Sequence, residues 1–143
     1  MQVAKILENK GSDVYTIAPD ATIETAVAAL REHGIGALVV SSNGTTVDGI
    51  VSERDFVHCM ADRGAGVLST RVSEVMTPDV LTCTYKDTGR DLLGQMTERR
   101  IRHVPVVENG ALCGMISIGD AVKSRLAEVI HEAHALREYI SQT

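Results

Sequence analysis

Two short segments of the chain combine serine and aspartate at a spacing that could bind a phosphorylated sugar. GIVSERD covers Gly49–Asp55, and GMISIGD covers Gly114–Asp120, 65 residues further along. Because a carboxylate only accepts hydrogen bonds, the aspartate suits the two vicinal hydroxyls of a ribose. The serine would lie at a helix N-terminus, where free backbone N–H groups attract phosphate. The repetition therefore indicates two equivalent ligand clefts.

The same pattern also has a purely structural explanation. A serine at the N-cap with an acidic residue three positions later is close to a capping box, and the carboxylate complements the helix dipole. On that explanation, Ser52 with Asp55 and Ser117 with Asp120 only begin helices. The glycine before each strand would allow another backbone or a ligand to approach closely. The sequence leaves both explanations open.

The similarity between the two halves extends far beyond these segments. Residues 16–40 align without a gap on residues 82–106, at an offset of 66. Two shorter segments also match: Asn43-Gly44 with Asn109-Gly110, and Val3–Leu7 with Val72–Met76. Self-similarity over about 55 residues indicates two copies of one supersecondary unit.

Each copy is predicted to follow the order β-α-β-β-α. In the first copy, a β-prone run at Val14–Ile17 precedes a helix with Thr22 as its N-cap and Gly34 at its exit. Two strands then flank a turn at Asn43-Gly44, which predicts a hairpin. A second helix is predicted from Ser52 to about Arg63, and the second copy repeats this order from Val80 onward.

One copy alone would bury too little surface to be stable, so the two are predicted to share a core. The expected fold is α/β, with the repeats packed face to face under pseudo-twofold symmetry and a long C-terminal helix. The expected bounds are a single module over 1–143, repeats at 3–65 and 72–130, the helix at 120–141, and a glycine-rich linker at 61–70.

Composition and charge exclude several classes of protein. The formal net charge of −5 argues against a surface that binds nucleic acid. No leader pattern and no apolar run long enough to cross a bilayer is present, so we expect a soluble, cytoplasmic protein without membrane contact. Cys59, Cys83 and Cys113 are isolated from one another in sequence and are predicted to be reduced thiols, mostly small core residues.

The sequence favours a non-catalytic protein. It has no P-loop, no GxGxxG motif between a strand and a helix, and no HExxH motif. His131 and His134 lie three residues apart beside glutamates, which would allow a metal site, but the pattern favours exposed charge on a terminal helix and we expect no metal there. Cys59 and Cys113 have no histidine placed to activate them.

The C-terminal helix carries an apolar stripe. Its members follow a 4-3-4-3-4 spacing: Val122, Leu126, Val129, Ala133, Leu136 and Ile140. This heptad pattern predicts either packing against the rest of the chain or contact with a partner. We expect part of the stripe to reach a second copy in a homodimer.

The pair of repeats resembles the tandem CBS (cystathionine-β-synthase) domain pair, or Bateman module, over roughly Val3–Val122. The matching segments are GIVSERD, GMISIGD, RHVPVV at Arg102–Val107, GALVV at Gly36–Val40 and Pro-x-x-Thr at Pro19–Thr22. The resemblance implies a stand-alone regulatory module with no attached enzyme or transporter. It implies binding of AMP, ADP, ATP, NAD or S-adenosylmethionine between the repeats, and dimerisation into a flat disc.

Site residues follow from the resemblance by position. It implies ribose contacts for Asp55 and Asp120, and phosphate or ribose contacts for Ser52 and Ser117. The remaining implied pocket residues are Thr16 and Thr82, the backbone of Gly36, Ala37, Leu38, His103, Val104 and Pro105, and the apolar Ile35, Ile50, Ile101 and Met115.

The two copies differ in their basic residues. Arg54 could clamp a phosphate bidentately, whereas the equivalent Gly119 cannot. The second copy has a basic cluster instead: Arg99, Arg100, Arg102 and His103. A solvated helix end explains that cluster as well. We therefore expect two sites of different affinity, one of which is empty if the difference is large. The alternative function is a structural or interaction subunit with vestigial clefts and an unidentified protein partner.

Overall fold

Two small sheets form the centre of the protein, one in each repeat. The computed structural model describes residues 1–142. Strand β1 (Thr16–Ile17) pairs in parallel with β2 (Ala37–Val40), which pairs antiparallel with β3 (Gly49–Ser52). In the second repeat, β4 (His103–Glu108) pairs antiparallel with β5 (Ala111–Ser117). Both hairpins were predicted from the sequence and are confirmed.

The first strand of each repeat is shorter than predicted. Strand β1 omits Val14 and Tyr15, and its counterpart in the second repeat is a single parallel bridge between Cys83 and Val106. The hydrogen bonds are nevertheless equivalent. The Ser41 N–H donates to the Ile17 carbonyl at 2.9 Å, and the Val107 N–H donates to the Cys83 carbonyl at 2.8 Å. The first strand of each repeat therefore keeps the expected hydrogen bond to its neighbour but is only one or two residues long.

Helices surround the sheets in the predicted order. They are α1 (Val3–Lys10), α2 (Ile23–His33), α3 (Glu53–Arg63), α4 (Gly89–Arg99) and α5 (Ile118–Ser141), with 3-10 helices at Ala65–Ser69 and Val72–Glu74. Thr22 caps α2 by accepting a hydrogen bond from the Thr25 N–H, and Gly34 ends it at φ 64°. Both features were predicted. The β-α-β-β-α order and the α/β class are confirmed.

Each repeat completes its core with residues from the N-terminal end of the other repeat or from the segment just before it. Val3, Ile6 and Leu7 of α1 lie in the core of the second repeat. Val67 of the linker and Val72 at the start of the second repeat lie in the core of the first. The expected linker at 61–70 is thus part of a packed core, because its apolar Val67 is buried. Matching bridges, Gln2 with Thr88 and Thr22 with Arg71, tie these segments down.

The Asn43-Gly44 segment does not form a tight hairpin turn. Residues 41–48 connect β2 to β3, and the side-chain oxygen of Asn43 accepts hydrogen bonds from the N–H groups of Thr45 and Thr46, both at 2.9 Å. The tight turn occurs in the other copy, where Asn109 and Gly110 have φ values of 52° and 78°. The insertion between β2 and β3 therefore replaces a turn with a loop in which the side chains of Ser41, Asn43 and Asp48 accept backbone hydrogen bonds.

The apolar stripe of α5 faces solvent in the single chain. Leu126 is 57% exposed and Leu136 is 59% exposed, whereas Ala121 and Ser124 are the buried residues of this helix. The stripe therefore does not pack back on the module along its length. Among residues 1–142, no helix is both long and apolar enough to cross a membrane.

Candidate functional site

Both Ser-x-x-Asp pairs form complete capping boxes. Oδ2 of Asp55 accepts hydrogen bonds from the Ser52 N–H at 2.8 Å and the Ser52 hydroxyl at 3.1 Å. Oδ2 of Asp120 accepts from the Ser117 N–H at 2.8 Å and the Ser117 hydroxyl at 2.9 Å. The structural explanation of the pattern is thus correct. In both aspartates, Oδ1 accepts no hydrogen bond from residues 1–142.

The glycine that begins each segment serves packing between the repeats. A methyl group at Gly49 would lie 2.5 Å from Sδ of Met76 and 3.0 Å from the Thr77 carbonyl oxygen. A methyl group at Gly114 would lie 2.9 Å from Cδ1 of Leu7. The sequence suggested that these glycines allow either another part of the chain or a ligand to approach closely. In the structure, another part of the chain approaches both of them. The segments involved come from the N-terminal end of the opposite repeat, so these contacts join the two halves.

Two clefts lie between the repeats, each beside one capping box. Cleft 1, about 170 Å³, is lined by Gly36, Ile50, Ser52, Glu53, Arg54, Asp55, Thr77, Asp79, Val80, Leu81, Arg100, Ile101, Arg102 and His103. Cleft 2, about 260 Å³, is lined by Lys10, Asp13, Val14, Tyr15, Gly34, Ile35, Gly36, Ala37, His103, Met115, Ser117 and Asp120. The linings correspond through the internal repeat. Asp13, Val14 and Tyr15 of cleft 2 match Asp79, Val80 and Leu81 of cleft 1.

The clefts differ in charge. Cleft 1 has three guanidinium groups that make no ion pair or side-chain hydrogen bond with residues 1–142: Arg54, Arg100 and Arg102. Its acidic residues are Glu53, Asp55 and Asp79. The single Lys or Arg of cleft 2, Lys10, is already engaged. Free positive charge is therefore concentrated in cleft 1.

Lys10 binds the aspartate of cleft 2. Its ammonium group donates to Oδ2 of Asp120 at 2.7 Å and to the Met115 carbonyl oxygen at 2.8 Å. Burial works to raise the pKa of Asp120, but the hydrogen bonds from Lys10 and Ser117 outweigh it and hold that pKa below its ordinary value. Asp120 is thus ionised and partly neutralised at physiological pH.

His103 stands between the two clefts. Its ring lies against Gly36, and these two residues contribute to both linings. Burial lowers the pKa of His103, helped by the charges of Lys10 and Arg102 and opposed by Glu53 and Asp120. The imidazole is therefore neutral at pH 7, and it has no hydrogen-bond partner among residues 1–142.

Most of the residues implied by the resemblance line a cleft. Those that do not are Thr16, Leu38, Thr82, Val104 and Pro105. Thr16 and Thr82 are exposed, and the residues before each of them, Tyr15 and Leu81, occupy the cleft walls. Leu38 and Val104 have buried side chains, which leaves only their backbone to face a ligand.

Several lining residues were not expected from the sequence. They are Lys10, Asp13, Val14, Tyr15, Gly34, Glu53, Thr77, Asp79, Val80 and Leu81, whereas Arg100 belongs to the basic cluster already noted in the sequence. The offset of 66 places residues 13–15 on residues 79–81, directly before the aligned threonines. Extending the alignment of the two repeats by three residues would therefore have identified both of these lining segments. Tyr15 also stacks on His33 with ring centroids 3.7 Å apart, which fixes the wall of cleft 2.

The buried Cys83 is held in its neutral thiol form. Burial, with smaller contributions from Asp87 and Cys113, raises the pKa of the Cys83 thiol to about 12, so it stays protonated. Within residues 1–142, no group of three or more His, Cys, Asp or Glu side chains is placed to hold a metal ion.

A comparison with protein-family models matches both halves of the chain to the same family. The model described as "CBS domain" matches residues 3–62 and again residues 72–127. This chain belongs to the CBS domain family. It contains two CBS domains in tandem, as the resemblance predicted.

Known CBS proteins align over most of the chain. A crystal structure of a CBS-domain containing protein from Agrobacterium tumefaciens is 46% identical, has a TM-score of 0.84, and covers 87% of this chain and 99% of that chain. The mitochondrial CBS domain-containing protein CBSX3 of Arabidopsis thaliana is 32% identical over 96% of this chain and 71% of its own length. A CBS domain protein from Pyrobaculum aerophilum, solved in complex with AMP, is 25% identical, has a TM-score of 0.74, and covers 84% of this chain and 89% of that chain.

Proposed function

We propose that this CBS pair is a non-catalytic regulatory module that senses an adenine nucleotide. The ligand would be AMP, ADP or ATP, with NAD as a further candidate, bound between the repeats. The observation that carries the proposal is in cleft 1. There, a carboxylate with one unused oxygen stands beside a helix N-terminus and three unpaired arginines. The AMP complex of the Pyrobaculum protein supports the choice of nucleotide.

Each part of a nucleotide has a matching group in cleft 1. The ribose hydroxyls would donate to Oδ1 of Asp55, because Oδ2 is already used by Ser52. The phosphate would bind Arg54, which lies in the first turn of α3, where the N–H groups also favour an anion. The adenine would lie between Ile50 and Ile101, with its edge facing the backbone near Gly36 and His103.

Isothermal titration calorimetry with AMP, GMP and adenosine tests this proposal. AMP should bind more tightly than GMP, since the adenine edge is recognised, and more tightly than adenosine, since the arginines bind phosphate. At 100 times its Kd, AMP should also stabilise the fold by about 2.7 kcal/mol. NAD and S-adenosylmethionine are tested in the same series. Equal affinity for AMP and GMP would contradict adenine recognition, and no binding of any of these compounds would contradict the proposed function.

A second candidate is an interaction subunit whose clefts bind nothing. The capping boxes and the glycine contacts explain the repeated motif without a ligand, and α5 presents exposed apolar side chains. In this case the protein would act as a homodimer or through another protein. Thermal unfolding measured with and without AMP separates the two candidates. A sensor is stabilised by the nucleotide, whereas an interaction subunit assembles and is indifferent to it.

A further inference from the structure

Arg100 ends α4 in a left-handed backbone conformation, with φ 57° and ψ 42°. This region is sterically unfavourable for residues with a long side chain. Among residues 1–142, the other non-glycine residue with positive φ is Asn109 in the β4–β5 turn. Asparagine tolerates this conformation because its short polar side chain can hydrogen-bond locally. Arg100 has no such compensation.

The first repeat makes the same helix end with a glycine. Gly34, the residue equivalent to Arg100, has φ 64° and ψ 39°. The following residues form equivalent hydrogen bonds: Ile35 N–H to the Leu30 carbonyl at 3.1 Å, and Ile101 N–H to the Met96 carbonyl at 3.0 Å. The cap therefore does not need an arginine, and glycine would adopt it without strain.

The two equivalent residues line different clefts. Arg100 lines cleft 1 and Gly34 lines cleft 2. The Arg100 guanidinium has no hydrogen-bond or ion-pair partner among the described residues, so its charge is available to a ligand. In cleft 2, the ammonium of Lys10 is held by Asp120, and Asp13 adds a negative charge.

We propose that Arg100 binds the phosphate of a ligand in cleft 1 and makes this cleft selective for phosphorylated adenosine compounds. Cleft 2 would accept adenosine compounds without a strongly anionic group. The proposal rests on the proposed function. Its physical reason is that an unfavourable backbone conformation is kept where the side chain contributes to binding. A guanidinium can bind two phosphate oxygens at once, which a glycine cannot replace.

The variant Arg100→Gly tests both parts of this proposal. Removing the strain should raise the urea midpoint of unfolding above that of the wild type. The affinity for AMP should fall at least roughly tenfold, because a hydrogen bond to a charged group is lost, while the affinity for adenosine stays unchanged. Arg99→Gln is the matched control. It removes a neighbouring charge that does not line the cleft, and it should leave the ratio of AMP to adenosine affinity as it is.

The reciprocal variant Gly34→Arg places the same side chain beside cleft 2. It should lower the midpoint of unfolding and increase the affinity of cleft 2 for AMP. A wild-type ratio of AMP to adenosine affinity in Arg100→Gly would overturn the proposal, and so would a midpoint at or below that of the wild type. A wild-type protein that binds neither AMP nor adenosine would instead overturn the proposed function, and this proposal with it.

Discussion

The imidazole ring of His103 lies against the α-carbon of Gly36. A methyl group at Gly36 would be 3.3 Å from both Cε1 and Nε2 of the ring. The contact joins the strand that begins the second hairpin to the segment that leads into the first. Since both residues line both clefts, the wall between the two clefts consists in part of one neutral histidine.

Stability should depend on pH through His103. Its pKa in the folded protein is below the ordinary value of 6.5, so the unfolded chain binds the proton at higher pH. The neutral imidazole therefore favours the folded protein, and this stabilisation is fully present above about pH 6.5. It is lost as the pH falls through the lower pKa of the folded state. The variant His103→Gln should flatten the dependence measured by urea unfolding between about pH 5 and 8.

The exposed His58 on α3 provides the control for that measurement. His58→Gln should keep the slope of the wild type, because this exposed side chain is surrounded by solvent in the folded as well as in the unfolded protein. If His103→Gln and the wild type gave the same slope over this range, His103 would not be the group responsible.

The glycine contacts between the repeats predict graded losses of stability. Gly114→Ala should lower the free energy of unfolding by about 1–3 kcal/mol, since the methyl group overlaps Leu7. Gly49→Ala should lower it further, because the Thr77 carbonyl oxygen is backbone and moves less easily than a side chain. Chemical denaturation of each variant measures both effects.

Two further variants show whether the contact with Leu7 is the cause. Leu7→Ala combined with Gly114→Ala should cost less than the sum of the two single changes, because the smaller side chain leaves room for the methyl group. Gly94→Ala, on an exposed position of α4 with nothing within 4 Å, should stabilise the protein by about 0.5–1 kcal/mol. Additive losses in the double variant would contradict a direct contact.

Asp55 should act both as a cap and as a ribose ligand. Asp55→Ala should lower stability by about 0.5–1 kcal/mol through the lost capping interaction. It should also weaken AMP binding by roughly 1.5–3 kcal/mol through the lost hydroxyl contacts. 2′,3′-Dideoxyadenosine 5′-monophosphate lacks both hydroxyls, so calorimetry should find equal affinities of the variant and the wild type for it. Equal weakening toward both nucleotides would mean that Asp55 only caps α3.

The matched change Asp120→Ala removes the other capping box and should affect cleft 2.

Association should depend on the exposed side chains of α5. Leu126→Asp together with Leu136→Asp should shift the protein toward a smaller species in sedimentation velocity, since burying each leucine is worth about 1.5–3 kcal/mol. Val57→Asp on α3, where the side chain is 65% exposed, is the comparison. Dissociation by Val57→Asp alone would place the interface on the helices of the first repeat.

The local elements were predictable because their determinants are adjacent in sequence. Thr22 and Ser52 cap helices through N–H groups three residues away, and Gly34 ends a helix through its own conformation. The two clefts followed from the repeat and from the resemblance to a known family. Burial of α2 was less predictable: Ile23, Ala26 and Leu30 face the core, while Val27 is 40% exposed.

The remaining features depend on contacts between distant parts of the chain. Lys10 and Asp120 are 110 positions apart, and no local pattern indicates that the end of α1 reaches the start of α5. Val67 lies in a glycine-rich segment with little apolar pattern, so the sequence around it does not predict its burial. It is buried because its segment packs into the core of the first repeat. The conformation of Arg100 was hidden because arginine is an ordinary residue near a helix C-terminus.

The exchange of leading segments has a consequence for how such a chain could arise. A polypeptide with one repeat and its own leading segment would lack a partner for that segment and would leave its own core open. Two such polypeptides could each donate the segment to the other, as in domain swapping. Joining them end to end makes both donations intramolecular, which is the connectivity seen here. On this basis, deleting residues 1–10 should unravel the repeat that is farther away in the sequence, because Val3, Ile6 and Leu7 belong to its interior.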